Sequence, residues 1–169
     1  MLEKIKDLIQ NRVLIIDGAM GTQLQSRDIK SQYWQYEGKD LEGCNELLNL
    51  TAPNILEEIY ENYAQAGANL VSTNTFGSMP WVLDEYEIGH LSYELSKLGA
   101  QSAKKAIEKY NTEADPKFVL ASIGPGTKLP SLGHITYDEM YEGYKTMAKG
   151  WLMVEQIYFY LKLVKILYR

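Results

Sequence analysis

Three short stretches carry residues whose types and spacing suit chemistry. In Asp17-Gly18-Ala19-Met20-Gly21-Thr22 a carboxylate stands directly before two glycines. A carboxylate at the end of a strand can serve as a base, and glycines let a ligand come close to the backbone. Asp-Gly reads equally well as a turn that caps the following segment. The second stretch is Thr73-Asn74-Thr75-Phe76-Gly77-Ser78, polar side chains that more commonly satisfy neighbouring backbone groups than bind a ligand. The third, Gly124-Pro125-Gly126-Thr127, exposes backbone.

Other candidates are weaker. No stretch has the Gly-x-Gly-x-x-Gly order and no Gly-Lys-Ser/Thr follows an apolar run, so nucleotide binding is not expected. His90 and His134 sit in polar contexts without a Gly-x-Ser-x-Gly elbow, which favours surface roles. The pairs Glu57-Glu58 and Asp138-Glu139 are placed in the first turns of two helices, where the helix dipole accounts for them.

The elements that position these stretches follow from periodicity. Val13-Leu14-Ile15-Ile16 reads as a strand buried on both faces and ending at Asp17. An amphipathic helix over residues 1–11 precedes it, and a polar passage over 23–45, long enough to cover something, follows. Thr51-Ala52-Pro53 opens a helix, with Thr51 or Asn54 near the cap, that ends at Gly67. Leu70 to Gly77 is a second strand, about 91–110 a helix, and Lys117 to Ile123 a third strand. Three strands ending alike in polar or Gly-rich loops, with helices between, give the rhythm of a parallel α/β sheet whose loops meet at one rim. Periodicity alone does not choose a barrel over a doubly wound sheet.

Composition bounds the rest. A chain of 169 residues, 46% hydrophobic and 23% charged, is long enough for one core. A net charge of -5 without a basic cluster excludes the usual nucleic-acid footprint. Cys44 is the only cysteine, so no internal disulfide forms, and a reducing, cytoplasmic setting is expected. The first eleven residues lack the apolar run of a signal peptide.

Taken together, Leu14-Ile-Ile-Asp17-Gly18-Ala19-Met20-Gly21-Thr22, Asn45-Glu-Leu-Leu-Asn49-Leu-Thr, Gly67-Ala-Asn-Leu-Val-Ser-Thr73-Asn74-Thr75-Phe76-Gly77 and Ser122-Ile-Gly124-Pro125 resemble, in order and spacing, the homocysteine-binding domain of cobalamin-dependent methionine synthases. The resemblance covers about residues 1–150. It implies the N-terminal part of a (β/α)8 TIM barrel and transfer of a methyl group from methylcobalamin to a zinc-bound homocysteine thiolate, giving methionine. Sister members use betaine or S-methylmethionine as donor. By position, Asp17 and Gly18 match the motif that holds the amino-acid end of homocysteine, the Gly18 to Gly21 backbone suits its carboxylate, and Thr75 and Phe76 match a second rim motif lining the pocket. The metal does not carry over. The family's zinc thiolates come from later strands, no cysteine follows Gly150, and Cys44 matches none of those positions. The resemblance implies zinc and cobalamin for the family, while this chain is expected to bind neither.

A barrel of this kind takes about 250 residues, so the chain is expected to hold only its first part. Residues 151–169 change style, with aromatics and lysines and no glycine, and do not resemble the family. A helix is the plain reading of that tail; Glu155, Lys162 and Lys165 make a membrane span costly. The favoured reading is a shifted frame. Loss of one base within codons 150 and 151 would convert a family-like continuation, Gly-Leu-Val-Asn-Gly-Gly-Ala-Asp-Ile-Phe-Leu-Phe-Glu, into the observed tail. Such a chain is expected to bind homocysteine weakly, to transfer no methyl group, and to self-associate through open strand edges. The remaining alternative is an unrelated α/β enzyme using Asp17 as a base.

Overall fold

The computed structural model describes residues 2–154 and 157–161. In chain order the elements are α1 (Leu2–Asn11), α2 (Met20–Gln25), β1 (Gln35–Tyr36), β2 (Lys39–Asp40), α3 (Leu48–Thr51), α4 (Pro53–Gln65), β3 (Leu70–Ser72), α5 (Pro80–Leu83), α6 (Ser92–Glu108), β4 (Phe118–Ile123), α7 (Tyr137–Leu152) and β5 (Ile157–Leu161), with short 3-10 turns between several of them. β1 and β2 form a small antiparallel hairpin. The other three strands make one parallel sheet in the order β3-β4-β5, with Leu70 opposite Phe118 and Val119 opposite Ile157.

Alternation along these strands separates two layers. Val71, Val119 and Ala121 face the helices. Val71 and Val119 pack with Leu56, Ile59 and Tyr60 of α4 and with Ala103, Ala106 and Ile107 of α6. Ala121 packs with Ala100, Met147 and Trp151. On the opposite face Leu70, Phe118 and Leu120 meet Ile5 and Leu8 of α1 and also Leu14. Toward the carboxyl ends that second face turns polar, with Ser72 and Ser122 in the alternating positions, both buried. A site at this rim therefore stands on an apolar base.

The segment Val13–Ile16 departs from expectation. It is not a strand buried on both faces: among the described residues its only ladder contact is a parallel bridge from Ile16 to Leu70, and Val13 is 86% exposed, Ile15 56% and Ile16 45%. Only β3 flanks it among the described residues, so its side chains lack the second neighbour that burial requires. Backbone bonds still hold it in place, from Asn69 and Leu70 N–H to Ile15 O at 2.8 and 3.1 Å and from Asp17 N–H to Leu70 O at 2.9 Å.

Helix ends differ in detail. The cap of α4 is Ala52, whose methyl cannot accept a cap bond, and the Thr51 hydroxyl is turned to Tyr33 O at 2.7 Å and Leu47 O at 3.2 Å. Glu57 and Glu58 fall beyond the first turn and pair with Lys105 at 2.8 Å and Arg27 at 3.2 Å. Gly67, at φ +105°, ends α4 as expected, where a residue with Cβ would be strained. Asp138 and Glu139 do occupy the first turn of α7, and Glu139 closes a capping box with Thr136. The polar passage over 23–45 folds into α2, the hairpin and turns that bury Trp34, Leu41 and Cys44.

The described part of the tail is no separate helix. α7 runs through Gly150, Trp151 and Val154 are buried in the core, and β5 then pairs along β4. No helix among the described residues is long and apolar enough to cross a membrane.

Candidate functional site

The carboxyl ends of β3 and β4 and the loop after Ile16 enclose a cleft of about 340 Å³. Its walls are Gly18 to Gly21, Asn45, Glu46, Ser72 to Asn74, Phe76 and Ser122. Two of the expected residues are here, since Gly18 forms one wall and Phe76, 46% exposed, another.

Asp17 sits at the margin and is tied to the sheet. Ser72 N–H donates to its Oδ2 at 2.7 Å and the Ser72 hydroxyl to its Oδ1 at 2.9 Å. Those bonds fix the start of the glycine loop against β3. Gly18 leaves little room: a Cβ there would stand 2.8 Å from the Tyr63 hydroxyl, which itself donates to Ala19 O at 3.3 Å.

Thr75 lies deeper. It is fully buried and supports the rim from below, its hydroxyl 2.6 Å from Thr73 Oγ1 and donating to Ser122 O at 3.0 Å. Ser122 N–H donates in turn to Thr73 Oγ1 at 3.0 Å, so these three residues lock the ends of β3 and β4 together. Asn74 is held on three sides. Its N–H donates to the Tyr60 hydroxyl at 2.8 Å, its side-chain amide donates to Asn45 O at 2.7 Å, and its carbonyl accepts from Asn49 Nδ2 at 2.7 Å. Burial raises the Tyr60 phenol above its ordinary range, and the nearby Asp17 charge adds to this.

Glu46 is the ionisable side chain of the wall that sequence reasoning gave no role. Its Oε1 accepts Gly77 N–H at 2.7 Å, and a Cβ on Gly77 would lie 2.9 Å from that oxygen. Burial pushes its carboxyl above the usual range, partly offset by the Gly77 bond. The clue in the sequence was only that Asn45-Glu46 begins the second of the resembling motifs. His90 and His134 are both exposed and outside the cleft.

A zinc ion does not fit the residues present. Cys44 is 1% exposed among Leu41, Leu47 and Leu83, and burial, with the Glu46 charge beside it, pushes its thiol up to about 12. A metal takes the thiolate, which this environment disfavours. Among the described residues no three His, Cys, Asp or Glu side chains converge on one point.

The family model for homocysteine S-methyltransferases matches residues 14–160. The chain belongs to this family. Its relatives include the methionine synthases of Mycobacterium tuberculosis (strain ATCC 25618 / H37Rv) and Mycobacterium leprae (strain TN), each 42% identical over 146 residues, 86% of this chain. The chain spans 12% of the length of either relative. Among solved structures, the metallated form of the homocysteine methyltransferase MmuM from Escherichia coli superposes with a TM-score of 0.72 at 19% identity, over 93% of this chain and 56% of that one. Its oxidised form gives 0.68 at 20% identity. The family's α/β fold is therefore shared, and the match runs ten residues beyond Gly150, through most of β5.

Proposed function

We propose that this chain is the first part of the homocysteine S-methyltransferase module of a methionine synthase, and that its cleft takes homocysteine. The observation that carries this reading is the coincidence of family membership with a cleft built from the motif residues Gly18 to Gly21, Asn74 and Phe76. Asp17 and Gly18 hold the amino-acid end, with the Gly18 to Gly21 backbone N–H groups toward its carboxylate; Phe76 lines the apolar side, and Thr75 supports the wall from behind. Strand order supports an arc of a (β/α)8 barrel. The Ile16 bridge, β3, β4 and β5 neighbour one another in chain order without the reversal of a doubly wound sheet. Identity of 42% to methionine synthases favours that branch over betaine- or S-methylmethionine-dependent relatives.

This reading has the chain bind without transferring a methyl group, because Cys44 is closed to zinc and, among the described residues, no group of side chains that could hold the metal is assembled. Titration calorimetry of the purified chain with L-homocysteine under reducing conditions tests this: saturable binding is expected, with no methionine formed from methylcobalamin and zinc above a protein-free control. Absence of binding overturns the substrate; methionine above the control overturns the inactivity.

The change of style at Gly150 we ascribe to the gene rather than to the fold, dividing the family portion 1–150 from a frame-shifted tail 151–169, although the family match itself continues to residue 160. The aromatic, glycine-free composition of the tail supports this division. Sequencing through codons 150 and 151 tests it, with a family-like continuation expected in the neighbouring frame and an uninterrupted frame without one overturning it.

A further inference from the structure

Two tyrosines of α4 stand behind two walls of the cleft without lining either. Tyr60 and Tyr63 are three residues apart, so their side chains leave the helix on one face. Tyr60 is fully buried, and its hydroxyl accepts the N–H of Asn74, in the β3 wall, at 2.8 Å. Tyr63 reaches the glycine loop instead. Its hydroxyl donates to Ala19 O at 3.3 Å and would meet a Cβ on Gly18 at 2.8 Å. Asp17 ties the first residue of that loop to Ser72, and the next hydrogen bond along it among the described residues is the one from Tyr63. α4 itself is held in place, with Leu56, Ile59 and Ala64 buried in the core it shares with Val71 and α6. One helix therefore sets where Gly18 and Ala19 stand relative to Asn74.

We propose that Tyr60 and Tyr63 are positioning residues that fix the width of the cleft, and with it the chain length of the amino-acid thiol it accepts. This rests on the homocysteine reading and adds what separates homocysteine from its shorter and longer homologues. A ligand whose amino-acid end lies at the glycine loop carries its thiol outward by a distance counted in methylenes. Moving that loop by the length of one methylene changes which homologue fits.

The test compares L-homocysteine with L-cysteine and with the homologue one methylene longer, by calorimetry on the full chain and two variants. The unmodified chain is expected to favour homocysteine over either by on the order of tenfold, the usual scale for one methylene in a fitted pocket. Tyr63→Phe keeps the half-buried ring and removes the hydroxyl, so the fold is retained and the loop settles toward α4. Homocysteine then weakens, and the longer homologue gains on it by on the order of tenfold. Gly18→Ala drives the loop away from Tyr63 and into the cleft, so cysteine gains on homocysteine instead. Loosening of the fold alone would weaken all three thiols alike and leave their ratios as they were. Unchanged ratios in either variant, or a shift of both variants in the same direction, overturn the role of the tyrosines while leaving the substrate intact. Equal binding of the three thiols by the unmodified chain overturns it as well. Failure of the unmodified chain to bind homocysteine overturns the substrate and this role together.

Discussion

Val13–Ile16 and Leu70–Ser72 are neighbouring runs of the same sheet with opposite fates. Val71 is 1% exposed and Val13 86%. The difference lies in what flanks each run. Leu70–Ser72 has β4 on one side, Ile16 on the other and α4 and α6 above it, whereas among the described residues Val13–Ile16 pairs with β3 alone and only its Leu14 packs inward, against Leu70, Phe118 and Leu120. A branched apolar run specifies an extended backbone; its burial is decided by partners that lie elsewhere in the chain.

The contrast can be broken most forcefully on its buried side. Leu56→Ala removes a fully buried side chain packed beneath Val71 and is expected to cost about 2–5 kcal/mol in urea unfolding. Alkali acts on the same interior. The Cys44 thiol ionises near 9 when unfolded but only at about 12 when folded, so between those values the unfolded chain sheds a proton that the native one keeps. Stability therefore falls as pH rises from about 9 to about 12, with buried Tyr60 adding the same sign at the upper end, and Cys44→Ser shallows the decline in melting temperature. Thr73→Val leaves Ser122 N–H without its acceptor and is expected to cost about 1–3 kcal/mol, loosening the junction of β3 and β4. At the exposed edge, Val13→Ser is expected to change stability by less than about 0.5 kcal/mol while reducing self-association in sedimentation experiments. A loss there comparable to Leu56→Ala would erase the distinction between the two runs.

Local patterns made much of the fold legible. Helical spacing and Gly67 located α4, the Ala- and Leu-rich run located α6, and the apolar run before Gly124 located β4. Long-range neighbours were not legible, which is why Val13–Ile16 looked buried and why nothing in the tail marked Ile157–Leu161 as a partner of β4. In the site, Gly18 and Phe76 were readable because their motif stands in one piece. Glu46 was not, since the place of its carboxylate depends on Gly77 arriving from a distant loop. Thr75 pointed to the right strand end, but whether a hydroxyl faces a ligand or Ser122 depends on side-chain direction, which one sequence position does not specify.

The pair of bonds from Ser72 to Asp17 makes the amino-terminal segment and any molecule taken up by the cleft parts of a single equilibrium. Whatever settles against Gly18 to Gly21 also holds down the residues before them, so occupancy should slow amide exchange along Ile15 to Asp17 without touching them. Conversely, a chain whose first residues peel away surrenders one wall of its own receptor.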